Sequence, residues 1–117
     1  MGVGAAMKSL LLFAALAAAQ TKPVTITGLV VDTGCYLSHD TKGPKHVACA
    51  TACATAGVPL AILDEASGTL YLPVAVNHKN QNALLMPHIE KRVTVTGTLY
   101  DKGGMKGIGI KTVAAAK

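Results

Sequence analysis

Apolar residues alternate with threonine and other polar residues in short stretches along much of this chain, which is the pattern of β-strands with one buried face. The pattern predicts five strands, at residues 24–31, 60–63, 69–76, 92–100 and 105–113. The fourth stretch, Arg-Val-Thr-Val-Thr-Gly-Thr-Leu-Tyr, alternates most regularly. Pro73 lies inside the third stretch and predicts an edge position or a bulge there, because proline has no N–H to donate.

Other stretches have a helical or a loop-like composition. Residues 46–56 are mostly alanine, cysteine, valine and threonine, and Gly57 follows at the position where helices often end. We expect a helix of about three turns here. Residues 82–89 predict a shorter helical turn that Pro87 disturbs. Residues 35–45 contain a Gly-Pro pair and predict a loop.

The order of these elements is strand, helix, two strands as a hairpin, a short helix, and two strands as a second hairpin. Gly28 lies inside the first strand, where glycine permits the sharp bend that a small barrel needs. The order predicts a mainly β fold, a small five-stranded OB-like barrel. One short helix follows the first strand, and a helical turn precedes the fourth.

The first nineteen residues differ from the rest of the chain. Lys8 is followed by the apolar run at residues 10–16 and by small residues before Gln20, which together match a secretory signal peptide. We expect cleavage before Gln20, a single OB-like domain at residues 20–117, and a secreted or periplasmic location. An N-terminal helix packed on the domain is the alternative. No stretch reaches the roughly 18 apolar residues of a transmembrane helix.

Composition narrows the range of partners. The chain has 117 residues, which suits one domain. Its formal net charge is +5, but the lysines are scattered, so a solvated surface explains them. Three tyrosines are the only aromatic side chains after residue 19. Because single-stranded nucleic acid is bound by stacked aromatic side chains, we expect no nucleic-acid partner. The sequence names neither a protein nor a small-molecule partner.

All three cysteines and two of the four histidines lie between residues 32 and 53. On the predicted helix, His46, Cys49 and Cys53 are spaced i, i+3 and i+7, so they share one face. Cys35 lies at the end of the first strand and could fold back onto that face. Three thiolates and one imidazole are a known tetrahedral ligand set for zinc, and thiolates also suit cuprous copper. The sequence therefore predicts a soft-metal site formed by these four residues.

Two further residues are candidates near this set. His39 follows Cys35 by four residues and is a spare ligand. Asp32 could orient a ligating imidazole through a hydrogen bond, or it could cap the turn at the end of the first strand.

Two alternatives follow from the same cysteines. Three cysteines cannot all pair within one chain, and an exported protein meets an oxidising compartment. A disulfide between Cys35 and either Cys49 or Cys53 would close a loop of about 15 residues and stabilise the domain by about 3 kcal/mol. The protein would then be a disulfide-stapled ligand- or protein-binding module without metal. The second alternative is a partner in envelope thiol redox chemistry, in which the remaining cysteine attacks that disulfide.

No catalytic arrangement is recognisable in the sequence. Asp64 and Glu65 are adjacent in the first predicted hairpin turn, where acidic residues commonly serve the turn itself. Neither Ser38 nor Ser67 lies in the glycine-flanked pattern of a nucleophilic serine. We therefore expect a non-enzymatic protein without catalytic residues, and zinc or copper as its only cofactor.

Four segments give the chain a resemblance to known sequences. They are Gly-Leu-Val-Val-Asp-Thr-Gly-Cys at 28–35, His-x-x-Cys-x-x-x-Cys at 46–53, Asp64-Glu65, and Lys-Arg-Val-Thr-Val-Thr-Gly at 91–97. With these segments the chain resembles a largely uncharacterised group of small secreted bacterial OB-fold-like proteins. The resemblance covers most of the chain after residue 19. It implies the barrel and export, and it carries over no catalytic residue.

Overall fold

The computed structural model describes residues 20–117, which contain five strands and three short α-helices. The strands are β1 (Gln20–Asp32), β2 (Leu60–Asp64), β3 (Thr69–Pro73), β4 (Arg92–Lys102) and β5 (Met105–Ala115). The helices are α1 (Thr33–His39), α2 (Val47–Thr55) and α3 (Asn82–Leu85), with 3-10 turns at Pro44–His46 and Met86–His88. The predicted signal peptide lies outside the described residues. Within them, no helix is both long and apolar enough to span a membrane.

The five strands close into a barrel in the order β1-β2-β3-β5-β4. β1 is antiparallel to both of its neighbours, β2 and β4, and a parallel pairing of β3 with β5 completes the circle. This confirms the mainly β, OB-like barrel that the sequence predicts. Gly28 lies where β1 passes close to β2, and any side chain there would overlap the carbonyl group of Leu63. Glycine is therefore required at this bend.

Apolar side chains from the strands, from α2, and from α3 and the segment after it fill the barrel. The main buried cluster contains Ile26, Val30, Ala50, Ala54, Leu60, Ile62, Leu85, Ile89, Val93, Val95, Ile108 and Ile110. The helix α2 contributes only two small side chains, Ala50 and Ala54, whereas α1 buries no residue. The cysteines are absent from this cluster, so they lie outside the barrel core.

The prediction of a loop at residues 35–45 was wrong for residues 35–39, which belong to α1. This helix forms because Asp32 caps its first turn, and it ends at Asp40 in the left-handed conformation with φ 52°. The third strand ends at Pro73 rather than at residue 76. Proline has no N–H for a ladder hydrogen bond, which explains the early end.

The predicted helix at residues 46–56 is confirmed in its main part. A 3-10 turn begins at Pro44 and leads into α2 at Val47. Gly57 ends the helix with φ 105°, and Val58 N donates to Cys53 O at 3.0 Å. This is the closing pattern of a helix that ends in glycine.

Candidate metal centre

The three cysteine sulfurs lie together at the surface of the barrel. Cys35 is in the first turn of α1, and Cys49 and Cys53 are one turn apart on α2. All three Sγ atoms lie within 4.8 Å of one another. Cys49 is exposed, and the other two are half-buried. Each is a free thiol, so the predicted disulfide is not seen.

Helix geometry explains how the chain brings these sulfurs together. Residues four apart on a helix lie on one side, so Cys49 and Cys53 point in the same direction. Ala50 and Ala54, one position further along, lie on the neighbouring face and anchor α2 to the barrel. Cys35 joins them because Asp32 Oδ1 accepts a hydrogen bond from Cys35 N at 2.9 Å and so starts α1 at this point.

A buried carboxylate and a histidine lie beside the sulfurs. The side chain of Asp32 is 0 % exposed and that of His46 is 10 % exposed. His46 Nε2 and Asp32 Oδ2 are 2.8 Å apart. Because a carboxylate only accepts, the imidazole carries its proton on Nε2 and leaves Nδ1 as the nitrogen with a free lone pair, unless the ring is doubly protonated. Asp32, Cys35 and His46 form a second group whose ligand atoms lie within 4.8 Å of one another.

A chain of hydrogen bonds holds His46 in place. His46 N donates to Gly43 O at 2.9 Å. Gly43 N in turn donates to Oε2 of Glu90, a buried residue just before β4. These hydrogen bonds therefore link Glu90 through Gly43, His46 and Asp32 to the backbone of Cys35. They connect the start of β4 to the first turn of α1.

The surroundings favour the protonated form of the thiols. Partial burial, the Asp32 carboxylate and the neighbouring Cys49 and Cys53 raise the pKa of Cys35 from 9.0 to about 11. Burial and the Asp32 carboxylate also raise the pKa of Cys53. Without a cation, Cys35 and Cys53 therefore keep their protons at neutral pH. A metal ion would have to displace these protons to bind thiolates.

Geometry sets the size of ion that the sulfurs can hold. With a zinc–sulfur bond of about 2.3 Å, the sulfurs of a tetrahedral site are about 3.8 Å apart. The three sulfurs lie within 4.8 Å of one another, so no sulfur–sulfur distance exceeds that of a tetrahedral zinc site by more than about 1 Å. Cys35, Cys49 and Cys53, together with Asp32 and His46, lie close enough to bind a metal ion.

The structure does not bring all of the predicted site residues into one group. Cys35 belongs to both groups, whereas His46 joins Asp32 rather than the group of three sulfurs. A role for His46 as fourth ligand stays a prediction. His39 is exposed, its Nδ1 lies 2.6 Å from Ser38 Oγ, and it belongs to neither group.

Asp32 has both of the contacts that the sequence suggested for it, with the imidazole and with the turn after the strand. Sequence reasoning missed Glu90, which is 47 residues away from its partner Gly43. No local pattern marks such a distant contact.

No protein-family model, no curated protein and no solved structure matches this chain. Membership of the group of small secreted OB-fold-like proteins therefore stays a prediction.

Proposed function

We propose that this protein is a non-enzymatic, exported barrel that binds one soft metal ion, zinc or cuprous copper, through Cys35, Cys49 and Cys53. His46 completes the ligand set as the fourth donor, oriented by Asp32. The observation that carries the proposal is the convergence of three sulfur atoms from two helices within 4.8 Å. Soft thiolate ligands select zinc and cuprous copper over harder ions such as magnesium or calcium.

The Asp32–His46 pair supports the fourth ligand. Histidines that bind metals usually donate their other ring N–H to a carboxylate or a carbonyl group, which fixes the tautomer. The 2.8 Å contact between Nε2 and Oδ2 supplies such a partner. A ring nitrogen of His46 also lies within 4.8 Å of Cys35 Sγ.

The position of the sulfurs suits an ion that enters from solvent. Cys49 is exposed and none of the cysteines belongs to the barrel core. The ion would bind on an already formed barrel, with its entry route at Cys49. The Asp32 carboxylate, which lies beside Cys35 and His46, carries negative charge that attracts a cation.

The redox alternative is less well supported. A thiol attacks a disulfide only as a thiolate, and reactive cysteines have a lowered pKa. The raised pKa of Cys35 and of Cys53 points in the opposite direction. A disulfide-stapled module without metal would need two of the same three sulfurs, so the two hypotheses differ in the number of free thiols.

Metal content and thiol counting test the proposal together. The reduced protein, freed of metal by a chelator and then titrated with zinc or cuprous copper, should take up one ion. Protein purified from a periplasm should contain stoichiometric metal, and it should release three thiols per chain when unfolded with a chelator and no reductant. One thiol per chain and no bound metal would support the disulfide instead and overturn the proposal.

Single substitutions assign the ligands. Cys35→Ser, Cys49→Ser and Cys53→Ser should each weaken binding by about 100-fold or more, since each removes a ligand rather than a residue behind it. His46→Ala, which removes the proposed fourth ligand, should also weaken binding by about 100-fold or more. His39→Ala is the matched control, because His39 is an exposed histidine on α1 outside both groups, and it should bind like the wild type.

A further inference from the structure

A cleft separate from the cysteines lies between the loop before α2, the turn between β2 and β3, the start of β4 and residues 115–117. Its volume is about 690 Å³. Sites for small molecules typically measure about 300 to 1,000 Å³, so the cleft has room for a ligand of that size. Its lining includes the acids Glu65 and Glu90 and the cations Lys42, Lys91, Arg92 and Lys117.

Glu90 in the wall of this cleft has an unsatisfied oxygen. The residue is only 4 % exposed. Its Oε2 accepts the Gly43 N–H, but Oε1 is buried and has no hydrogen-bond partner within residues 20–117. Burial raises the pKa of this carboxyl, and the Gly43 N–H only partly opposes the shift. Buried polar atoms in folded proteins almost always have a partner, so a donor is missing here.

The rest of the cleft carries an excess of positive charge. Lys42 and Arg92 share one carboxylate, Glu65, at 3.2 and 2.8 Å. Lys91 and Lys117 make no ion pair with any other residue of the described part of the chain. The cleft therefore has four cations and two acids, and two of its cations are free to face an anion.

We propose that this cleft binds a small organic anion that carries hydroxyl groups, such as a sugar acid. Its carboxylate faces the lysines of the rim, and one hydroxyl donates to Glu90 Oε1. Different residues call for the two parts of the ligand. The lysines attract its carboxylate, and Glu90 Oε1 needs a hydrogen-bond donor such as its hydroxyl. The site uses none of the cysteines, but it shares Glu90 with the hydrogen bonds that hold His46 through Gly43.

Two anions of equal charge and carbon number separate these contributions. Gluconate has a carboxylate and five hydroxyls, whereas hexanoate has the carboxylate alone. Each is titrated into metal-free, reduced protein, and backbone amide NMR shifts are followed at residues 42, 43 and 90–92. Gluconate should saturate these shifts at a concentration about tenfold lower than hexanoate, because only gluconate satisfies the buried oxygen. No saturable shift at these residues, or equal affinities, would overturn the proposal.

Substitutions identify the groups that bind. Glu90→Met keeps the length of the side chain but has no oxygen for a ligand hydroxyl, so the preference for gluconate over hexanoate should disappear. If this variant does not fold, Lys91→Ala tests the rim instead and should weaken gluconate several-fold. Lys111→Ala is the control, because Lys111 is an exposed lysine of β5 outside the cleft. A Glu90→Met variant that keeps the preference, or a Lys91→Ala variant that binds like Lys111→Ala, would contradict the assignment.

Discussion

The buried pair of Asp32 and His46 can be tested by a double-mutant cycle in metal-free, reduced protein. Asp32→Ala removes both the oxygen that caps α1 and the oxygen that faces the His46 ring. Loss of a helix cap costs about 1 kcal/mol, and a hydrogen bond to a charged group is worth about 1.5 to 3 kcal/mol. We therefore expect Asp32→Ala to lower the free energy of unfolding by about 3 kcal/mol.

The second single variant isolates the contact between the two side chains. His46→Ala leaves the cap intact but removes the donor to a carboxylate that is 0 % exposed. It should cost about 2 kcal/mol. The double variant should cost little more than Asp32→Ala alone, because the contact is already lost. The expected coupling free energy is therefore about 2 kcal/mol.

Urea unfolding at pH 8, followed by far-ultraviolet circular dichroism, measures all four corners of the cycle. His39→Ala serves as the control for an exposed histidine, and we expect its effect to stay within about 0.5 kcal/mol. A coupling free energy between Asp32 and His46 below about 0.5 kcal/mol would show that the two side chains do not interact in solution. The role of Asp32 in orienting His46 would then be refuted.

Four further outcomes follow from the site and the barrel. Metal affinity, measured by chelator competition, should rise with pH, by up to about tenfold per pH unit for each proton that the thiols release; an affinity that is constant between about pH 6 and 9 would contradict this. In metal-free protein, the Cys35 thiol keeps its proton up to about pH 11 when folded, against 9.0 as its ordinary pKa. The protonated Cys35 thiol therefore stabilises the folded protein below pH 9, and this stabilisation is lost as the pH rises through 11. The melting temperature of Cys35→Ser should consequently fall less at alkaline pH than that of the wild type. Gly28→Ala should destabilise the protein by about 1 to 3 kcal/mol or more, because its methyl group would overlap Leu63. Gly34→Ala, which has room inside α1, should be neutral or stabilising in the same denaturation assay.

The strands could be predicted because their signal is local. Alternation of apolar and polar residues places one set of side chains in the barrel, and the start of β4 follows it, with Val93 and Val95 buried between less buried neighbours. The helix α1 could not be predicted in this way. It buries no residue, so it has no apolar face to detect, and it depends on a single cap from Asp32.

The candidate site could likewise be predicted only in part from the sequence. The common direction of Cys49 and Cys53 follows from helical spacing and is readable in the sequence. The approach of Cys35 depends on how α1 starts after β1, and the anchoring of His46 depends on Glu90, far away in the chain. Contacts of this kind arise from the closed barrel, so no pattern within a short window reports them.

X-ray absorption at the bound ion tests the central claim most directly. The protein is reduced, loaded with one equivalent of zinc or cuprous copper, and measured at the edge of that metal. For zinc, the account predicts three sulfur neighbours at about 2.3 Å and one nitrogen at about 2.0 to 2.1 Å, and His46→Ala should lose the nitrogen while keeping the sulfurs. A bound ion with fewer than three sulfur neighbours, or a reduced protein that takes up no stoichiometric metal, would contradict it.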